Sequence, residues 1–263
     1  MSAFMSETFI RSEKDRVSAR SSRIVGGEVT TVENYPSIVQ FDSRNSVTEV
    51  FQQICAGSII TNLHVLTAGT CLRPRSYDPR LQRIRAGATS RNAGGVIHYI
   101  DSLVIHPYFL ESSYSSNIGI ARLATSLIFT PAVQRTAIPT LGTVIPDGLP
   151  VTQVGWGRTQ FMGEFSNALR YVDVLTVNFE RCAELYRGNY DWPDLRFIGD
   201  LICTGLLNVD GKGSCFGDHG GPLFYGNVTI GVIYGGEDCG NSNYPALNTN
   251  IALYTDWIVA NAV

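Results

Sequence analysis

What most constrains this chain is its rhythm: short β-favouring runs broken by clusters of glycine, proline, asparagine and serine. The runs are Ser37–Phe41, Gly57–Ile60, His64–Thr67, Val96–Ile105, Ile118–Leu123, Val151–Val154, Asp173–Val177, Pro222–Tyr225 and Val228–Tyr234. Valine, isoleucine, threonine and tyrosine suit a pleated, half-buried surface, and the residues between the runs supply the dihedrals that tight reversals need. Many short strands with few helical periods predict antiparallel barrels or a sandwich. Two helices are expected. One starts at Asn178, a suitable N-cap, and continues through Arg181, Leu185 and Tyr186. The other closes the chain from Ala252 to Ala262, where Leu253, Trp257, Ile258 and Ala262 form an apolar stripe. The proline-bearing stretch Thr130–Pro150 is the most linker-like part of the interior.

At 263 residues the chain suffices for one large domain or two small barrels sharing an interface. With 44% hydrophobic and 16% charged residues it is built for a packed core rather than extended disorder. A net charge of −3 gives no electrostatic reason to expect nucleic acid or an anionic membrane as partner. No apolar run approaches the ~20 residues of a membrane-spanning helix.

Six cysteines, at 55, 71, 182, 203, 215 and 239, form no CxxC pair. An even set without that spacing reads as disulfides in an oxidising compartment, although fifteen pairings are open to it. Residues 1–23 are polar and charged, are expected to lack fixed structure, and contain no apolar stretch of the ~7–15 residues that a secretory signal uses. The histidines at 64, 98, 106 and 219 show no zinc-ligand spacing, so no metal or cofactor is expected. His64 and His106 are assigned structural roles, and only His219 is expected to face a cleft. Asn227-Val228-Thr229 is an N-glycosylation triplet between two strand runs, which places the candidate Asn227 in a turn.

Five motifs, in order, carry a family resemblance from Ile24 to the C-terminus. They are Arg23-Ile24-Val25-Gly26-Gly27, His64-Val65-Leu66-Thr67-Ala68-Gly69-Thr70-Cys71, Ser116-Asn117-Ile118-Gly119-Ile120-Ala121-Arg122-Leu123, Gly155-Trp156-Gly157, and Ser214-Cys215-Phe216-Gly217-Asp218-His219-Gly220-Gly221-Pro222-Leu223. Together they resemble the trypsin-like serine proteases, and the invertebrate trypsins most. The resemblance implies an all-β fold of two six-stranded antiparallel barrels with a C-terminal helix and a cleft between the barrels. It divides the chain into an N-terminal extension, 1–23, and a homology domain, 24–263. Within the latter the first barrel is expected at about 24–130, the second at about 140–250 and the helix at about 252–262. It also implies the pairs Cys55–Cys71, Cys182–Cys203 and Cys215–Cys239, and hence an extracellular protein.

The same resemblance exposes a departure. Its chemistry needs a hydroxyl nucleophile, an imidazole base and a buried carboxylate that orients the base. At the three matching positions stand His219, Thr70 and Asn117. Threonine accepts no proton near neutral pH, and asparagine carries no charge to stabilise an imidazolium. Gly217 and His219 occupy the oxyanion-hole positions. In the pocket Gly213 replaces the aspartate of trypsins, followed by Ser214. Tyr234 and Gly235 replace a serine-tryptophan pair ahead of Gly236, and Ala246 stands where glycine is common. Against the resemblance, these changes imply that a trypsin-like preference for basic side chains is not expected. Cleavage after Arg23 would free the ammonium of Ile24, with Asp218 placed to pair with it.

The resemblance therefore implies a noncatalytic homologue that binds a protein: a protease, another cascade component or an inhibitor. It is expected to act as a monomer and as a regulator or cofactor of a proteolytic or immune cascade. One alternative is a hydrolase with Thr70, His219 and Asn117 in exchanged roles, disfavoured because the hydroxyl at 70 would sit several ångströms from the scissile carbon. The other is an inert decoy for protease inhibitors.

Overall fold

The computed structural model describes residues 25–45, 47–72, 81–110, 115–188 and 199–263. Strands β2 (Ile38–Arg44), β3 (Phe51–Ile59), β4 (His64–Thr67), β5 (Gln82–Ala86), β6 (Val96–Ile105) and β7 (Gly119–Leu123) close a barrel in the order β2-β3-β4-β7-β6-β5. A second barrel runs β9-β10-β13-β12-β11-β8 and closes through a β8–β9 pairing. Its strands are β8 (Pro150–Gly155), β9 (Arg170–Val177), β10 (Leu201–Gly205), β11 (Pro222–Tyr225), β12 (Val228–Gly235) and β13 (Ala246–Asn250). The two-residue β1 (Glu28–Val29) adds to β9. The strand pairings are antiparallel, as the short runs and tight turns require.

Alternation explains the faces. On β9, Val172, Val174 and Thr176 point inward while Asp173 and Leu175 face solvent. Phe41, Ile59, Leu66, Ile84, Ile120 and Leu123 fill the first barrel. Val151, Val174, Leu223 and Ile230 belong to the second. Trp156 is fully buried with Ile38, Ala56 and Leu169, and its Nε1 donates to the Thr89 carbonyl at 2.9 Å. Burying an indole this completely is favourable only because its one polar atom finds a partner.

Helix α1 (Phe179–Leu185) begins where expected, with the Asn178 side chain accepting from the Arg181 N–H at 3.0 Å. The C-terminal helix begins later than expected. Ile251–Leu253 form a 3₁₀ turn, and α2 spans Thr255–Asn261. The Asn250 side chain accepts from Ala252 N–H and so caps the tighter turn first. Ile258 and Tyr254 pack this end of the chain onto the first barrel's core.

The bridges are Cys55–Cys71, Cys182–Cys203 and Cys215–Cys239, as the resemblance implies. Each closes a loop of 16 to 24 residues. In the chain-entropy model such a loop contributes about 3 kcal/mol. The last of them ties the segment carrying His219 to the one carrying Glu237 and Asp238.

Candidate active site

Thr70 lies in the 3₁₀ turn Gly69–Leu72 that follows β4, and Asn117 immediately precedes Ile118 and β7. The two meet through the backbone: Thr70 N–H donates to Asn117 Oδ1 at 2.9 Å. The Asn117 carbonyl accepts from Thr249 Oγ1 at 3.0 Å. Asn117 Nδ2 is buried and has no hydrogen-bond partner among the described residues. The side chain thus does only half of what a carboxylate would do here. It anchors the Thr70 backbone but offers a donor where an imidazole would need an acceptor. Behind it, Ser116 N–H donates to Asp200 Oδ2 at 2.8 Å, and Tyr254 hydroxyl reaches both Ser116 Oγ and Asp200. That cluster holds Ser116 at φ +53°, a left-handed geometry that a non-glycine residue adopts only when its surroundings enforce it.

His219 is held by its backbone, whose carbonyl accepts from Ala56 N–H at 2.8 Å. Its ring lies against Gly235, where an added Cβ would stand 3.1 Å from Nε2. Gly235 has φ +140°. Lacking a side chain, it leaves the imidazole room. Burial pushes the His219 pKa down to about 4, so the ring is neutral near pH 7. Among the described residues neither ring nitrogen is hydrogen-bonded, and neither is the Thr70 hydroxyl. A nucleophile–base pair needs such a bond. His219 and Thr70 form no such bond among the described residues.

The loop around Gly217 is clamped. Gln53 Nε2 donates to the Gly217 carbonyl at 2.6 Å, and Arg91 fixes Gln53 through Nε to Oε1 at 2.8 Å. Arg158 N–H donates to the Phe216 carbonyl at 2.8 Å. The Phe165 ring closes on Gly217, which has φ +100° and no space for a side chain. The N–H groups of Gly217 and His219 have no partner among the described residues.

Asp218 is fully buried, and its carboxylate accepts from Gly157 N–H at 2.7 Å and Cys215 N–H at 2.9 Å. A Cβ at Gly155 or Gly157 would run into that carboxylate, which explains both glycines of Gly155-Trp156-Gly157. Burial, opposed by the two N–H bonds, raises the Asp218 pKa to about 6. Val25 forms an antiparallel bridge with Gly213, whose N–H donates to the Val25 carbonyl at 3.1 Å. Arg23 and Ile24 lie outside the described residues.

The pocket residues separate into two groups. Tyr234, Gly235 and Gly236 line a cavity of about 250 Å³ together with Phe161, Phe216, His219, Glu237 and Asp238. Gly213, Ser214 and Ala246 are buried and do not line it. Ser214 N–H donates to Gln153 Oε1 at 2.9 Å, and Gln153 Nε2 continues to Thr204 Oγ1 at 3.1 Å. Asn248 Nδ2 joins Thr204 Oγ1 at 2.9 Å. Sequence reasoning missed Gln53, Gln153 and Asn248; only Gln153 lies within a predicted strand run, Val151–Val154, where a polar residue was the available signal. It also missed the cavity's two phenylalanines and two carboxylates, which loops from different parts of the chain supply.

The other histidines lie elsewhere. His64 Nδ1 pairs with Thr61 Oγ1 at 2.8 Å, and His98 Nδ1 with Thr125 Oγ1 at 2.9 Å. His106 packs edge-on against Tyr254 and Trp257. Asn227 is exposed in the turn between β11 and β12, its carbonyl accepting from Thr136 Oγ1 at 3.2 Å.

Comparison with known proteins agrees with this architecture. The family model described as Trypsin matches residues 24–258. The chain is 37% identical over 247 residues to "Trypsin, alkaline C" of Manduca sexta, covering 94% of this chain and 93% of the relative. It is 34% identical to "Trypsin CFT-1" of Choristoneura fumiferana, covering 92% of each, and 34% identical to "Trypsin delta" of Drosophila erecta, covering 91% of this chain and 88% of the relative. Two closed antiparallel barrels, three bridges and full-length similarity to insect trypsins place the chain in the trypsin family of serine endopeptidases.

Proposed function

We propose that this chain is a noncatalytic member of its family, acting by binding a protein partner through the cleft and the loops around it. The observation that carries this reading is the chemistry of Thr70, Asn117 and His219: a hydroxyl and a neutral imidazole without a bond between them, and an amide in place of the orienting carboxylate. Loss of triad members costs up to roughly 10⁶ in turnover, or about 8 kcal/mol of transition-state stabilisation. The clamping of the Gly217 loop by Gln53 and Arg91 supports a rigid binding surface that does not depend on turnover.

The relatives are named trypsins, and family membership alone would favour hydrolysis. The three substitutions weigh against it in this chain. A regulator or cofactor of a proteolytic or immune cascade fits a preserved protease surface without turnover. Three disulfides support an extracellular site of action, where Asn227 stands ready for glycosylation. Cleavage after Arg23 would act as a switch, with Asp218 receiving the new ammonium.

A fluorophosphonate probe of serine hydrolases tests the reading on the cleaved and uncleaved protein. No covalent adduct is expected. An adduct on Thr70 that disappears in His219→Ala would establish the exchanged-role hydrolase instead.

A further inference from the structure

The cavity at the cleft has an unusual wall. Of its eight lining residues, four are aromatic or imidazole rings, two are glycines and two are acidic. The Phe161 and Phe216 centroids are 6.4 Å apart at 40°, and those of Phe216 and His219 are 6.0 Å apart at 47°. The three rings therefore lie along one wall, with Tyr234 as a further, buried ring. Phe161 and Phe216 each remain 47% exposed, so their faces are open to a ligand rather than consumed by the core.

Charge points the same way. Glu237 and Asp238 line the cavity, and among the described residues no lysine or arginine does. Asp238 is exposed and sits at φ +54°. His219 is neutral near pH 7 and presents a ring without a repelling charge. Aromatic faces attract cations through their quadrupole, and the attraction grows as the cation sheds water. A primary ammonium sheds water reluctantly and needs acceptors for three N–H groups. The cavity's two carboxylates, Glu237 and Asp238, could accept them only if the ammonium first gave up the water that satisfies it. A methylated ammonium carries its charge on carbon-bound hydrogens and needs only ring faces and nearby negative potential.

We propose that this cavity binds a quaternary or methylated ammonium group, with Phe161, Phe216 and His219 as its ring wall and Asp238 as its anionic rim. The inference deepens the reading of the cleft as a binding site and rests on it.

Isothermal titration of the full chain tests it with choline, ethanolamine and 3,3-dimethylbutan-1-ol, the last being a neutral isostere of choline. Choline is expected to bind about tenfold tighter than either of the others, the increment for a partly desolvated cation over rings. Phe216→Ala should lose about tenfold in choline affinity while Phe216→Trp retains it. Asp238→Asn should weaken choline and leave the neutral isostere unchanged, and asparagine suits the positive φ at that position. Phosphatidylcholine vesicles and a trimethyl-lysine peptide then separate a lipid headgroup from a modified protein as the source; capture of either supports the site.

No choline binding, equal binding of the neutral isostere, equal binding of ethanolamine, or unchanged affinity in a folded Phe216→Ala would each overturn the inference. Those failures leave the noncatalytic reading standing. Only turnover or probe labelling removes that reading.

Discussion

The buried carboxylate of Asp218 makes cleavage after Arg23 measurable as stability. In the intact chain burial raises its pKa from 3.8 to about 6. Between those values the folded state holds a proton that the unfolded state has released, so stability falls as pH rises through the window. Above pH 6 the full penalty applies, and 2.2 units at 1.36 kcal/mol each is about 3 kcal/mol. An ammonium freed at Ile24 and docked beside Asp218 would reverse the sign by favouring the charged form.

At pH 7.5 the cleaved protein should therefore be more stable by about 3 kcal/mol. For a chain of this size that corresponds to a Tm rise on the order of 6–12 °C. The gain should shrink toward pH 4 as the carboxylate protonates. Differential scanning calorimetry of intact and cleaved protein at several pH values reads this directly. Asp218→Asn supplies the control: it should lose the cleavage gain and exceed the intact wild type at pH 7.5. A cleavage gain that is absent at pH 7.5, equal at both pH values, or kept in Asp218→Asn would refute the reasoning.

Three further outcomes are expected. Because burial lowers the His219 pKa to about 4, its contribution is complete above pH 6.5 and is lost as pH falls toward 4; allowing for solvent at its exposed edge, the loss is about 1–2 kcal/mol. Chemical denaturation of His219→Gln should show that acid-side loss removed, and an unchanged profile would contradict the assignment. Restoring Thr70→His, Asn117→Asp and His219→Ser together should raise hydrolysis of an activated ester by at least ~10³, while each single change leaves it at background. Revival by any single change would show that fewer than three roles are missing. Replacing Cys215 and Cys239 with serine should cost about 3 kcal/mol in denaturant unfolding, and a loss well below 1 kcal/mol would show that the loop around His219 is held mainly by its other contacts.

The fold was legible wherever β-branched, aromatic and other apolar residues ran together between turn signals. His64–Thr67, Val96–Ile105 and Pro222–Tyr225 match their strands residue for residue. Strands β5, β10 and β13 escaped notice. Gln82–Ala86 is three-fifths polar, and Ala246–Asn250 carries two asparagines, so their burial depends on partners distant in sequence rather than on their own composition. For Asn248 those partners are Thr204 and Ile202. The positions of Thr70, Asn117 and His219 were legible because motifs surround them. The ring of His219 resting on Gly235, and the cavity this shapes with Phe161 and Phe216, depend on loop geometry that no local pattern encodes.

The central claim, that the cleft binds without cutting, is tested most directly by turnover. The protein, intact and cleaved after Arg23, is incubated with a broad peptide library once the cleaving enzyme has been removed, with His219→Ala as background. The expected result is no hydrolysis above that background in either form. Hydrolysis that vanishes in His219→Ala would contradict the claim and show that Thr70, Asn117 and His219 work in exchanged roles.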